Sequence, residues 1–114
     1  MNTDPEIAEL PGYFFFKKDD GFEKVFEEDI LYGEAKGSYT EVFTKKDNYL
    51  ISRNLSYLLS NLQAYPDFLR VHRSYFVNIR EVEKYYKDYL LVGHKQIPVS
   101  KAYRHEISKR FKFF

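Results

Sequence analysis

Cysteine and tryptophan are absent from this chain, and methionine occurs once. Without cysteine there is no disulfide framework and no thiolate metal site, and the absence fits a reducing cytoplasm. Long apolar runs are missing too. The longest, YFFF at 13–16 and YLLV at 89–92, have strand length, against the roughly 18–20 residues of a membrane-spanning helix. The acidic N-terminus has no signal-peptide pattern. Catalytic signatures are equally scarce. His72, His94 and His105 show neither HExxH nor His-x3–5-His spacing, and no GxSxG, GxGxxG or GxxxxGK[ST] occurs. The carboxylates Glu27, Glu28 and Asp29 fall in a turn-like stretch before a strand, where a solvated turn is the simplest role. These absences point away from an enzyme, a metal and a cofactor.

What is present is aromatic. Phe and Tyr number 11 each among 114 residues, and the hydrophobic share is 44%, enough for one core. With no tryptophan, Phe14, Phe16, Phe43, Tyr49, Phe68 and Phe76 are read as core volume rather than as stacking platforms. The formal net charge of +1 hides a strong asymmetry. Residues 1–69 carry 7 Lys/Arg and 13 Asp/Glu, a net of −6, whereas residues 70–114 carry 11 and 4, a net of +7. One surface is thus suited to meet an anion. A solvated basic C-terminal helix explains the charge equally well.

Residues 1–11, with Pro5 and Pro11, read as a linker or leader, and residues 12–114 as one domain. Short β-branched and aromatic segments broken by turn signals predict strands at 13–16, 22–26, 30–35, 39–44 and 49–52. Leu55, Leu58, Leu59 and Leu62 share one helical face, with Asn54 as N-cap and Pro66 beyond the end. Further strands are expected at 68–72, 81–86, 89–92 and 96–99. A closing helix should start at Ser100 as N-cap and carry Tyr103, Ile107, Phe111 and Phe114 down one side. The fold class is therefore mainly β with two helices (α+β), with eight or nine short strands.

Three stretches resemble the LytTR family of DNA-binding domains, and together they span nearly all of residues 13–113. DILYGEAKGSY at 29–39 resembles D-I-x-Y-x-E-A followed by a turn and an aromatic. FLRVHRSYFVN at 68–78 resembles F-x-R-x-H-R-S-[YF]-[IV]-V-N, and IPVSKAY at 97–103 matches I-P-V-S-[RK]-x-Y. Two positions depart from the pattern. Gly33 stands where the family has a branched apolar residue, which suggests a loosened strand or a bulge. Lys101 replaces the commoner Arg, keeping the charge and losing the planar fork.

The resemblance implies an elongated fold of short antiparallel strands that lies along duplex DNA and inserts loops into successive major grooves, with no recognition helix. It implies a transcription regulator, often fused to a receiver domain under a sensor kinase, which binds tandem sites as a homodimer. Carried onto this sequence, Arg73 and Lys101 are base-contact positions, with Ser38 and Tyr39 sharing a third. A guanidinium at Arg73 matches guanine O6 and N7 together; a surface ion pair is its plainer role. Lys101 suits a base or a phosphate. About thirty residues separate Arg73 from Lys101, so contacts at separate places on the DNA are expected. Lys36, Arg53, Arg70 and Arg104 are phosphate candidates. His72, Ser74 and Asn78 are assigned to holding the loop in shape. The rival from another class is a β-rich protein-interaction or ligand-sensing module.

Overall fold

A computed structural model describes residues 10–114, so the expected linker at 1–11 lies almost wholly outside the described residues. Among those described, ten strands and two short helices follow one another. A central antiparallel sheet holds β3 (Ile30–Lys36), β4 (Tyr39–Thr44), β5 (Asn48–Ile51), β6 (Phe68–His72) and β7 (Tyr75–Asn78) in the order β5-β4-β3-β7-β6. The hairpin of β1 (Tyr13–Lys18) and β2 (Gly21–Phe26) is a second sheet. A third joins β8 (Val82–Tyr85), β9 (Tyr89–Val92) and β10 (Lys95–Pro98), with β9 in the middle. The helices are α1 (Leu55–Ser60) and α2 (Arg104–Ser108).

Strand geometry sends successive side chains to opposite faces, and the central sheet is apolar on both. Val42 and Phe43 on β4, Phe68 and Leu69 on β6, and Phe76 and Val77 on β7 each divide between two clusters. The first cluster is closed by Phe16 and Val25 of the β1–β2 hairpin and by Leu55 of α1. Leu90, Val92, Ile97 and Ile107 close the second, from β9, β10 and α2. This double burial explains why the sequence alternates so little in polarity along 68–78.

Most of the expected elements appear. Asn54 caps α1 by accepting from the Tyr57 N–H at 2.8 Å, and Leu55, Leu58 and Leu59 face the first cluster. Leu62 reaches the same cluster from the turn beyond the helix. Neither helix stands out as a recognition ridge, because the apolar faces of both are spent on the core. Among the described residues no helix is long and apolar enough to cross a membrane.

Three expectations are corrected. The segment Tyr75–Asn78 is a strand that pairs with both β3 and β6, and Asn78 at its end caps the 3-10 turn that follows by accepting the Arg80 N–H. The closing helix is short: Ser100 makes no side-chain cap bond, a 3-10 turn follows over Lys101–Tyr103, and α2 ends at Ser108. Tyr103, Ile107 and Phe111 still pack on the second cluster, but Phe114 lies past the helix and is fully exposed. The bulge in β3 falls between Ile30 and Tyr32, not at Gly33, which is instead held flat beneath the ring of Phe76.

Candidate nucleic-acid interface

Antiparallel pairing places the β3–β4 turn and the β6–β7 turn at the same end of the central sheet. Gly37 supplies the left-handed backbone of the first turn at φ +62, and Ser38 and Tyr39 stand exposed beside it. The Ala35 N–H donates to the Ser74 carbonyl at 2.8 Å, tying the two turns together. A third segment joins them where Ser100 donates its N–H to the carbonyl of Val71 at 2.9 Å. Ser38, Tyr39, Arg73 and Lys101 thus occupy one rim, with the Arg73 turn in the middle. The segments leading to Arg73 and Lys101 are thus hydrogen-bonded neighbours, because the chain leaving β10 meets β6 at Ser100.

Arg73 and Lys101 are exposed, and neither makes an ion pair among the described residues. The four phosphate candidates are all engaged. Lys36 lies 3.5 Å from Glu34 and 3.9 Å from Glu41, and Arg53 stacks over the Tyr57 ring at 4.8 Å. Arg104 donates to Asp88 at 2.8 Å. Arg70 is the most committed, with Nε on the His72 carbonyl at 3.3 Å, one terminal nitrogen on Ser56 Oγ at 3.0 Å and the other on the Arg73 carbonyl at 2.5 Å. Its planar fork spans the β6–β7 turn from within, a bracing role that the sequence did not reveal. In sequence, a guanidinium two residues before a strand end reads the same whether it braces a turn or meets solvent.

The loop-shaping residues divide. His72 Nδ1 accepts the Ser74 N–H at 3.0 Å, and its ring meets Tyr75 edge-on at 5.7 Å. Ser74 thereby holds the Arg73 turn through its own N–H and carbonyl. Asn78 sits at the opposite end of β7, buried at 1% exposure. Its Nδ2 donates to Ile30 O at 2.9 Å and Glu27 O at 3.3 Å, while Oδ1 accepts from the Arg80 N–H at 3.2 Å. Asn78 therefore fastens the central sheet to the chain before β3 and has no part in the rim.

Charge separates along the same axis. Beside Asn78 a cleft of about 690 Å³ is lined by Glu27, Glu28, Asp29, Asp67 and Glu81, with Lys45 and Arg80 among them. Burial, and then the nearby Asp67, raise the Glu27 carboxyl above its ordinary value. The clustered carboxylates make that end unfavourable for an anion. At the rim, burial first and a hydrogen bond to Glu34 second push the Tyr75 phenol up, so it stays a neutral donor beside the turn.

Known proteins resemble this chain in sequence and in fold. The family model described as LytTr DNA-binding domain matches residues 20–112. The transcriptional regulatory protein YpdB of Escherichia coli K12 is 33% identical over 81 residues, 65% of this chain and 33% of that protein. The sensory transduction protein LytT of Bacillus subtilis 168 is 31% identical over 87 residues, 71% of this chain and 36% of LytT. The chain thus spans about a third of the length of the curated relatives it matches. A solved LytTr DNA-binding domain, from a Bacillus cereus protein described as a methyl-accepting/DNA response regulator, superposes with a TM-score of 0.76. It is 25% identical, and the match covers 91% of this chain and 100% of that one. With the family model spanning most of the chain and the fold matching a solved member, this chain belongs to the LytTr DNA-binding domain family.

Proposed function

We propose that this chain binds duplex DNA sequence-specifically through the rim of turns and is the DNA-reading part of a transcription regulator. The carrying observation is that the three segments resembling family base-contact positions converge on one edge, with Arg73 and Lys101 free of ion pairs among the described residues. Arg73 offers two parallel donors to guanine, and Lys101 a point charge for guanine or a phosphate. Ser38 or Tyr39 makes the third contact. Lys36 and Arg53 meet phosphates at the flank, since exposed pairs and stacks of this kind are weak and readily exchanged. Arg70 serves as a positioning residue, holding the Arg73 turn in shape.

The descriptions of the relatives, a transcriptional regulatory protein and a sensory transduction protein, support a place in a signalling system. A receiver domain and a sensor kinase fit upstream, and the cytoplasm is the compartment such a system implies. One module covers on the order of 600–1,000 Å² of DNA, so tandem sites occupied by two copies are the route to useful affinity. Selection of bound sequences from a random duplex pool tests this reading. It predicts an enriched motif whose binding falls linearly in log K against log salt, with a slope of about −0.9 per phosphate contacted. No enrichment, or binding indifferent to salt, contradicts it.

A further inference from the structure

The rim does not end at Lys101. The Val99 N–H donates to the Asp88 carbonyl at 2.9 Å, so the β8–β9 turn abuts the Ser100–Lys101 segment as a fourth member of the edge. Between this turn and α2 lies a shallow cleft of about 330 Å³ lined by Lys87, Arg104, His105, Tyr85 and Ser108. Lys87 is exposed and has no ion pair among the described residues. Arg104 is poorly satisfied: its Nε is covered and lacks a partner among the described residues. Its terminal nitrogen meets only Asp88, whose side chain is 75% exposed. An ion pair that open to water contributes little and is readily exchanged, so a phosphate of the DNA backbone can take the place of the Asp88 carboxylate.

We infer that this cleft takes an oxyanion of the phosphate class, held by Lys87 and Arg104, and that Asp88 occupies Arg104 as an internal competitor until the phosphate arrives. The inference rests on the proposed DNA-binding reading and extends it, because the anion's source is the DNA backbone just beyond the base-contacting turns. Lys87 adds affinity without sequence preference. Asp88 lowers it, by holding Arg104 and by its own charge.

Lys87→Ala and Asp88→Asn test this, since both side chains are exposed and neither change disturbs the core. Fluorescence anisotropy is read on the selected duplex and a scrambled one at several salt concentrations. Lys87→Ala should weaken both duplexes by the same factor, about three-fold or more, and reduce the salt slope by about one. Asp88→Asn should tighten both by about two-fold or more. Wild-type binding unchanged by either substitution, or weakened by Asp88→Asn, overturns the site while leaving the DNA-binding reading intact. Inorganic phosphate, followed by amide shifts of residues 86–88 and 104–108, separates the sources. If phosphate shifts these amides while the wild type binds no duplex, both the DNA source and the DNA-binding reading fall. If the duplex shifts them and Lys87→Ala abolishes the shift, the assignment to DNA holds.

Discussion

The ring of Phe76 lies where a side chain on Gly33 would begin: a Cβ at Gly33 would stand 2.0 Å from Phe76 Cε2. The two residues are cross-strand partners in β3 and β7, and Phe76 is 1% exposed. The departure from the family pattern at Gly33 is thus matched by a large partner on the neighbouring strand. Gly33→Ala should overpack the first cluster and destabilise the domain by about 1–3 kcal/mol. Combining it with Phe76→Leu should recover part of the loss, because the space exchanged is shared. Urea unfolding of the two single variants and the double measures this, and a fully additive loss would refute the pairing.

Arg73→Ala should cost about 1–3 kcal/mol on the selected site and relax preference at one short stretch of base pairs. The protein should remain as stable as the wild type, since the side chain is exposed and makes no ion pair. Lys101→Arg should sharpen guanine preference at a neighbouring stretch if the lysine meets a base. The relevant measurement is affinity for a panel of single-base variants of the site. Unchanged specificity in folded Arg73→Ala would remove this turn as the reader.

Arg70 should behave unlike a phosphate contact. Removing it strips donors from the carbonyls of His72 and Arg73 and loosens the turn that carries Arg73. Arg70→Ala should therefore weaken the selected site by about ten-fold and leave scrambled duplex and salt slope almost unaltered. Arg70→Lys should rescue little, since an ammonium cannot span three acceptors in a plane. A uniform loss on all duplexes, with the slope reduced by about one, would make Arg70 a phosphate contact after all.

Alkaline stability carries a second signature of the fold. Tyr49 is buried beneath the β1–β2 hairpin and its hydroxyl donates to Glu23 at 2.8 Å. Burial, and then that bond, push its phenol up to about 12, and burial does the same for Tyr32, to about 12. An unfolded tyrosine titrates near 10. The neutral phenols thus stabilise the fold fully below about pH 10, and that contribution is lost as pH rises from about 10 through 12. Urea midpoints taken between pH 8 and pH 12 should fall across this window, less steeply in Tyr49→Phe. A wild-type midpoint that stays level from pH 10 to pH 12 would contradict the assignment.

Much of this was legible in the residues, and the failures share a cause. The leucine face of 55–62 and the Asn54 cap are local features, so helix α1 could be read directly. Tyr75–Asn78 was obscured because a strand buried on both faces does not alternate in polarity, and Ser74 before it and Asn78 at its end read as turn formers. Asn78 contacts residues some fifty positions away, which no local pattern announces. Arg73 and Lys101 were nominated by motif, but the approach of their segments depends on the Ser100–Val71 bond between distant parts of the chain. Likewise the bracing of the Arg73 turn by Arg70 requires the turn's carbonyls to face back toward it.

The most direct test of the account is a map of backbone amide shifts as the selected duplex is added to the isotope-labelled domain. The account predicts the largest changes at 36–39, 72–74 and 100–101, with the acidic end around Glu27, Asp67 and Asn78 unmoved. Changes centred on that acidic end, or on the outer faces of the β1–β2 hairpin and α1 with the rim silent, would contradict it.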